Sequence, residues 1–167
     1  MDSNKLKVAI ITMSDSRASG SGQNDISGQT IRELVEEQHY EVVYYRLIRD
    51  DFEEIKATLI EVCNQKIDLV LTTGGTGLSP RDQTPDATKA VLEREVPGIS
   101  EAMRYFSLQI TPRAMFSRGV SGLRGQSLII NLPGSPKAVR ENLEYVLPHL
   151  RHGLDVLRQE VKECGQQ

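Results

Sequence analysis

The sequence predicts an α/β fold in which a mostly parallel mixed sheet is flanked by helices in three layers. Short apolar runs typical of buried strands alternate with segments whose apolar residues recur at helical spacing. This β-α-β-α-β order favours parallel strands, because each helix returns the chain to the same edge of the sheet. A later pair of extended runs around a tight turn predicts an antiparallel member. We expect one domain over residues 1–167, with its core at about 7–157 and short frayed ends.

The first half of the chain supplies three predicted strands separated by two predicted helices. We expect the strands at residues 7–12, 40–48 and 67–73. Ser27 is expected to cap the first helix, which ends near His39. Asp51 opens the second helix in an Asp-x-x-Glu pattern that is typical of a capping box.

The second half begins with two helices, which we expect at residues 84–95 and 98–109. Thr84 is the expected cap of the first of them, with Pro85 as its first residue. Residues 118–122 and 126–131 are expected to form a hairpin, and a last helix should start at Ser135-Pro136 and bend or break at Pro148.

Composition and charge exclude several classes of protein. The formal charge is −3 and the basic residues form no stripe, so a nucleic-acid partner is not expected. No run approaches the length that spans a membrane. The two cysteines lack Cys-x-x-Cys spacing and the start does not resemble a signal peptide, which predicts a soluble cytoplasmic protein.

A glycine-rich segment follows the third predicted strand and is longer than a simple connection requires. About ten residues separate strand from helix, where about two to six are usual. Glycine N–H groups can close around an oxyanion, and the helix start that follows also favours phosphate. The spacing matches neither the Walker A loop nor the dinucleotide fingerprint. We therefore predict a different phosphate-handling site, lined by Thr73, Gly74, Gly75, Thr76, Gly77, Ser79 and Arg81.

Other strand ends should meet this segment, because ligand crevices form beyond the carboxyl ends of parallel strands. After the first strand the candidates are Ser14 and Asp15. After the last strand they are Pro133, Gly134, Ser135 and Lys137.

Two aspartates are not explained by helix capping. Asp51 fits the cap of the second helix, and Asp86 fits the first turn of the helix after the glycine segment. Asp50 and Asp82 have no such role, and two carboxylates beside a phosphate site suit Mg²⁺, which completes its shell with water and substrate phosphates. We predict that Asp50 and Asp82 are catalytic and bind the metal.

Other chemistries find little support in the sequence. His149 and His152 are three residues apart on a predicted helix, but no third metal ligand accompanies them. No Gly-x-Ser-x-Gly or similar nucleophile motif is present.

Three segments carry a resemblance to a known family. They are residues 72–88 (TTGGTGLSPRDQTPDAT), residues 132–138 (LPGSPKA) and Ser14-Asp15. Together they resemble the MoaB/Mog family of molybdenum cofactor biosynthesis proteins, which is similar to the gephyrin G domain. The resemblance runs from about residue 7 to 157. It implies a molybdopterin-binding α/β domain, usually a homotrimer, that uses ATP and Mg²⁺ to adenylylate molybdopterin.

The resemblance also implies roles for the acids. Active relatives place acids where Asp50 and Asp82 stand, and some MoaB-type relatives that do not catalyse lack the first of these, so its presence here favours an enzyme. Active relatives often have proline before that acid, whereas Arg49 precedes Asp50 and Asp51 follows it here, so both registers stay open. The molybdate-inserting domain that is fused to some relatives is not in this sequence, and we expect hand-over to another protein.

Three functions follow as alternatives. In the first, the terminal phosphate of molybdopterin attacks the α-phosphorus of ATP and pyrophosphate leaves. In the second, the protein binds or carries molybdopterin without catalysis. The third is a generic nucleotide hydrolase, which the lack of a Walker lysine disfavours.

Overall fold

The computed structural model describes residues 5–20 and 24–159, and a six-stranded sheet lies at its centre. The strands are β1 (Lys7–Met13), β2 (Glu41–Ile48), β3 (Leu69–Thr73), β4 (Arg94–Glu95), β5 (Ser121–Arg124) and β6 (Ser127–Leu132). The helices are α1 (Asp15–Ala18), α2 (Ile26–Glu37), α3 (Phe52–Asn64), α4 (Thr84–Val91), α5 (Pro97–Leu108) and α6 (Pro136–Leu157), with a 3-10 helix at Pro112–Phe116.

The sheet is mixed, and its order is β2-β1-β3-β6-β5-β4. The neighbours among β2, β1, β3 and β6 pair in parallel, whereas β5 runs antiparallel to both β6 and β4. The β5–β6 hairpin closes where Arg124 pairs with Ser127. The predicted fold class, a mostly parallel mixed sheet with an antiparallel member, is confirmed.

Helices cover both faces of the sheet, which explains the continuous apolar runs of its central strands. Val8 and Ile10 of β1 pack in a core with residues of α2, α5 and α6. Ala9 and Ile11 point to the opposite face and pack with residues of α3 and α4. Within the described parts of the chain, no helix combines the length and the apolar character needed to cross a membrane.

Two predicted helix caps are wrong, because each hydroxyl bonds to a loop carbonyl instead of capping its own helix. The cap of α2 is Asp25, which accepts a hydrogen bond from the Gly28 N–H at 3.0 Å. Ser27 lies inside α2 and donates to the Gly134 carbonyl at 2.7 Å. Thr84 is the first residue of α4, and its hydroxyl donates to the Gly74 carbonyl at 2.9 Å. Both hydroxyls therefore stabilise loops at the edge of the sheet.

The predicted helix at residues 84–95 is too long. The chain becomes extended at Leu92, where α4 ends, and the Glu93 N–H donates to the Leu123 carbonyl at 2.8 Å. The following Arg94–Glu95 pairs with β5, so sheet pairing with a distant segment overrides the local helical pattern. The last helix was expected to bend or break at Pro148, but α6 continues through this residue without a break. The 3-10 helix was not predicted.

Buried Asn131 of β6 links the sheet to its neighbours. Its amide nitrogen donates to the hydroxyl oxygens of Thr72 at 2.9 Å and Thr88 at 3.0 Å. Its oxygen accepts from the Val120 N–H at 3.2 Å. One side chain thus connects β3, β6, α4 and the approach to β5.

Replacing Asn131 by alanine should lower the free energy of unfolding by about 2 to 4 kcal/mol, because buried polar groups lose their partners. Chemical denaturation of the purified protein measures this. Asn131→Leu separates polarity from volume, since the branched and slightly larger leucine leaves no cavity but leaves the same groups unpaired. Wild-type stability in Asn131→Leu would show that the hydrogen bonds contribute little.

Candidate active site

The carboxyl ends of the four parallel strands meet at one edge of the sheet. The Ser14 N–H donates to the Ile48 carbonyl at 2.9 Å and joins the ends of β1 and β2. The Thr73 hydroxyl donates to the Pro133 carbonyl at 2.6 Å and joins the ends of β3 and β6. Because β2 and β3 lie on opposite sides of β1, this edge is a topological switch point, where α/β proteins bind ligands.

The turn after β3 depends on two glycines in the left-handed region of backbone conformation. Gly74 has φ +97°, and a Cβ there would lie 2.5 Å from the Met13 carbonyl oxygen. Gly75 has φ +66°, and a Cβ there would collide with the Thr84 hydroxyl and lie 2.6 Å from Asp50 Oδ1. The absence of side chains therefore lets the turn approach both the end of β1 and the loop after β2.

The second half of the glycine segment orients Asp82. Asp82 Oδ2 accepts from the Ser79 N–H at 3.0 Å, and the Asp82 N–H donates to the Ser79 carbonyl at 2.9 Å. A Cβ on Gly77 would lie 2.8 Å from Asp82 Oδ2. The carboxylates of Asp50 and Asp82 thus lie against two glycines, Gly75 and Gly77, of the same loop.

Asp50 has an oxygen that the rest of the described chain does not satisfy. Its Oδ1 is buried and has no hydrogen-bond partner among the described residues. Burial raises the pKa of the Asp50 carboxyl above its ordinary value, and the negative charges of Asp15 and Asp82 raise it further. A bound cation would satisfy this oxygen and favour the ionised form.

Asp51 is occupied elsewhere. Its carboxylate caps α3 by accepting from the Glu54 N–H at 2.9 Å, and its side chain is exposed. The Glu54 carboxylate in turn accepts from Arg49 Nε at 3.1 Å. The acid that faces the glycine turn is therefore Asp50.

Asp15 and Arg81 form an ion pair at the rim of the site. Nη2 of Arg81 donates to Asp15 Oδ2, and Asp15 Oδ1 accepts from the Asp50 N–H at 3.1 Å. The hydrogen bond from Arg81 lowers the pKa of the Asp15 carboxyl. Partial burial raises this pKa, and the hydrogen bond from the Asp50 N–H lowers it further. The Arg81 side chain is 70% exposed, so this ion pair lies in contact with solvent.

Several predicted site residues lie at the periphery. The Ser14 and Ser135 hydroxyls cap α1 and α6, accepting from the Arg17 and Ala138 N–H groups at 3.4 and 3.1 Å. Lys137 is 82% exposed and pairs with Glu141 of its own helix at 3.8 Å. Gly134 does contact the centre, since a Cβ there would lie 3.5 Å from the Gly74 Cα.

Arg118 was not predicted from the sequence. Its Nε donates to the Gly77 carbonyl at 2.9 Å and its Nη2 to the Asp82 carbonyl at 2.5 Å. The same guanidinium makes an ion pair with Asp86 at 3.1 Å and lowers the pKa of that carboxyl. An isolated arginine 36 residues from Asp82 gives no local signal of such contacts.

A buried network around Asp25 was also missed. Asp25 Oδ2 accepts from the Thr12 hydroxyl at 2.6 Å and from the Tyr45 hydroxyl, and Arg17 lies 3.9 Å from Oδ1. Burial and the Asp25 carboxylate raise the pKa of Tyr45 above its ordinary value. This network connects β1, β2 and the start of α2 close to α1, which begins at Asp15.

A cleft of about 290 Å³ adjoins the glycine turn. Its walls include residues of the turn, of α5 and α6, of the segment between α5 and β5, and of the segment after β6. They are Thr76, Gly77, Ser100, Arg104, Ser107, Arg113, Phe116, Ser117, Pro133, Glu141 and Asn142. A larger cleft of about 770 Å³ between α5 and α6 includes His149 and His152 but none of the predicted site residues.

The donor set at the glycine turn fits a hard divalent ion. Among the described residues, no group of three or more His, Cys, Asp or Glu side chains is close enough to hold a metal ion by itself. Mg²⁺ does not require such a group, because it binds through one or two carboxylates and takes its other ligands from water and phosphates. The unsatisfied Asp50 oxygen and the nearby Asp82 carboxylate meet this need.

The chain is similar to known proteins over most of its length. Residues 9–152 match the family described as a probable molybdopterin binding domain. The chain is 41% identical over 155 residues to the molybdopterin adenylyltransferase of Helicobacter pylori, covering 91% of this chain and 88% of that protein. It is 41% identical over 165 residues to gephyrin of Dictyostelium discoideum, covering 93% of this chain and 23% of gephyrin. The crystal structure of the molybdopterin biosynthesis enzyme MoaB from Thermus thermophilus has a TM-score of 0.85 and 47% identity, covering 92% of this chain and 97% of that one.

Replacing Asp50 by asparagine should stabilise the protein at neutral pH in the absence of divalent ions. The folded state raises the pKa of this carboxyl, so its ionised form destabilises the fold. The gain should be absent below the ordinary value of 3.8, where the acid is protonated in both states, and should grow as the pH rises above it. Thermal melts in EDTA from about pH 3.5 to 7 measure it. A variant less stable than wild type at neutral pH would contradict this account.

Proposed function

The chain belongs to the family of molybdenum cofactor biosynthesis proteins that share this molybdopterin binding domain, and we propose that it transfers AMP from ATP to molybdopterin with release of pyrophosphate. The observation that carries the proposal is the buried Asp50 oxygen without a partner among the described residues, which lies against the glycine turn beside Asp82. A protein that only bound an organic molecule would gain nothing from this arrangement, because an unsatisfied buried carboxylate reduces stability.

The two substrates have separate places in this proposal. The triphosphate of ATP lies along the glycine turn, where the N–H groups of Gly74 to Gly77 and the hydroxyls of Thr73 and Thr76 are near. Molybdopterin occupies the adjoining cleft, because Thr76 and Gly77 form a wall common to both. Polar groups in that cleft, including Arg104, can hydrogen-bond a pterin ring. The terminal phosphate of molybdopterin would then point towards the turn.

The chemistry needs positioning and charge stabilisation rather than a protein nucleophile. An oxygen of the molybdopterin phosphate attacks the α-phosphorus of ATP, the bond from that phosphorus to the bridging oxygen breaks, and pyrophosphate leaves. Asp50 and Asp82 would hold Mg²⁺, which supplies positive charge to the reacting phosphates. The chain itself aligns the reactants, and such alignment accounts for much of the catalysis in phosphoryl-type transfers.

Peripheral residues have supporting roles in this proposal. Arg81 exchanges its bond to Asp15 for an ATP phosphate when the nucleotide enters. Ser135 and the Gly134 backbone lie at the N-terminus of α6, which favours an anionic group. Lys137 adds positive charge to the approach.

Two alternatives remain as outcomes of the test. A molybdopterin carrier would bind the pterin but release no pyrophosphate, and a generic nucleotide hydrolase would turn ATP over without molybdopterin. The first is disfavoured by the retained Asp50, and the second by the absence of a lysine at the glycine turn.

The decisive assay measures pyrophosphate release from ATP with and without molybdopterin and Mg²⁺. We expect release only when all three are present, and a fall of at least about 100-fold in Asp50→Ala and Asp82→Asn, since each loses a group that acts on the reacting phosphates. Asp51→Asn is the matched control, because asparagine also caps helices and the adjacent acid lies outside the site.

The variants separate the two registers of the first acid. Normal turnover in Asp50→Ala together with loss in Asp51→Asn would assign catalysis to Asp51. Binding of molybdopterin without any pyrophosphate from the wild-type protein would make the chain a carrier.

We further propose a cytoplasmic homotrimer that passes its product to a separate molybdate-inserting protein. The cytoplasm suits the free thiol of Cys63. Apolar side chains near the end of α5 and in the 3-10 helix are exposed and offer a surface for self-association. They are Tyr105, Leu108, Ile110, Met115 and Phe116, which are 67, 41, 45, 60 and 51% exposed.

Introducing charge into this surface should dissociate the trimer. Tyr105→Glu combined with Met115→Glu is expected to give a monomer by light scattering after gel filtration. Ile26→Glu is the control, because that side chain is 55% exposed but belongs to α2. A trimer that persists in the double variant would place the interface elsewhere.

A further inference from the structure

Arg118 holds the loop that carries Asp82 at several points. The guanidinium bonds to carbonyls at both ends of the loop, those of Gly77 and Asp82, and the Arg118 N–H donates to the Thr76 carbonyl at 2.9 Å. The Asp82 carboxylate is oriented from within this same loop, by Ser79. The direction of the carboxylate therefore follows the backbone that Arg118 fixes.

The segment around Arg118 also forms part of the cleft beside the glycine turn. Ser117 and Gly119 line that cleft, and Arg104 on its α5 side donates from Nη1 to the Gly119 carbonyl at 2.7 Å. The Gly119 N–H donates to the Ser117 hydroxyl at 3.4 Å. Residues 117–119 thus contact the Asp82 loop through Arg118 and line the cleft through Ser117 and Gly119.

The geometry requires an arginine rather than a general positive charge. A planar guanidinium can donate to several acceptors at once, whereas a lysine ammonium acts as a single point charge. Part of the charge of Arg118 is balanced by Asp86, which is 53% exposed and accepts from both Nη atoms at 3.1 to 3.2 Å, so solvent screens this ion pair. The bonds to the loop backbone are therefore the distinctive part of its contacts.

We propose that Arg118 is a positioning residue that holds the Asp82 loop at a fixed position relative to the cleft beside it. The inference rests on the proposed function, in which Asp82 serves the ATP site and the cleft holds molybdopterin. Arg118 contacts neither substrate in this assignment. It sets the distance between them through the backbone of residues 76–82.

The test compares Arg118→Lys with Asp86→Asn. Lysine keeps the charge but loses the several planar N–H donors of the guanidinium, whereas Asp86→Asn weakens the ion pair and leaves the bonds to the loop intact. In Arg118→Lys we expect faster hydrogen exchange in residues 77–82, a fall in kcat of about 10- to 100-fold, and a rise of about tenfold in the ATP concentration for half-maximal rate. Molybdopterin binding, followed by pterin fluorescence, should stay within about twofold, because Arg104 still holds the cleft side.

The control defines how the inference fails. Asp86→Asn should resemble wild type in exchange and in rate. Unchanged exchange and rate in Arg118→Lys would overturn the proposal, and so would equal losses in both variants, which would assign the effect to the ion pair. A wild-type protein that releases no pyrophosphate would count against the proposed function alone, since the exchange of residues 77–82 still reports whether Arg118 holds the loop.

Discussion

The close approach of the turn after β3 to the end of β1 is the constraint on which the rest of the site depends. At Gly74 the backbone passes so near the Met13 carbonyl that no side chain fits, and Gly75 has the same relation to Thr84 and Asp50. Parallel pairing of β1 with β3 brings the two strand ends to one level, and β6 adds the Gly134 loop beside them. Three loops that are distant in sequence therefore share one small volume. Any side chain added in the turn would separate them.

This crowding also concentrates negative charge. Asp15 begins α1, whereas Asp50 and Asp82 lie in two different loops, and the charges of Asp15 and Asp82 both raise the pKa of Asp50. Arg81 balances the charge of Asp15 by direct pairing, but Asp50 Oδ1 has no hydrogen-bond partner among the described residues. A fold selected for stability alone would not keep this group. Its retention is understandable if a cation and phosphates complete the site, since the same oxygen then becomes a ligand.

The sequence predicted the parts of the fold that depend on local pattern. The strands at the centre of the sheet, the hairpin and the cap at Asp51 are confirmed because apolar periodicity and short-range capping determine them. The family resemblance is confirmed by the match over residues 9–152. The failures involve partners that lie outside the local pattern, such as those 10 and 107 residues away from Thr84 and Ser27. The local sequence predicts Ser27 and Thr84 as helix caps, but in the fold their hydroxyls donate to the Gly134 and Gly74 carbonyls. The residues after Leu92 continue a helical sequence pattern, but in the fold Arg94 and Glu95 pair with β5 instead.

The same distinction explains why the candidate site was only partly predicted. Asp50, Asp82 and the glycines stand out because they have chemistry or conformations that a local role does not explain. Arg118 has no local peculiarity, and its contacts are with three carbonyls of one loop that only folding brings within reach. In a reaction without a protein nucleophile, groups that set distances matter as much as groups that touch the reacting atoms, because misplacement by about 1 Å can reduce the rate about 100-fold. The residues that sequence patterns miss in such a site are therefore those that hold its loops in place.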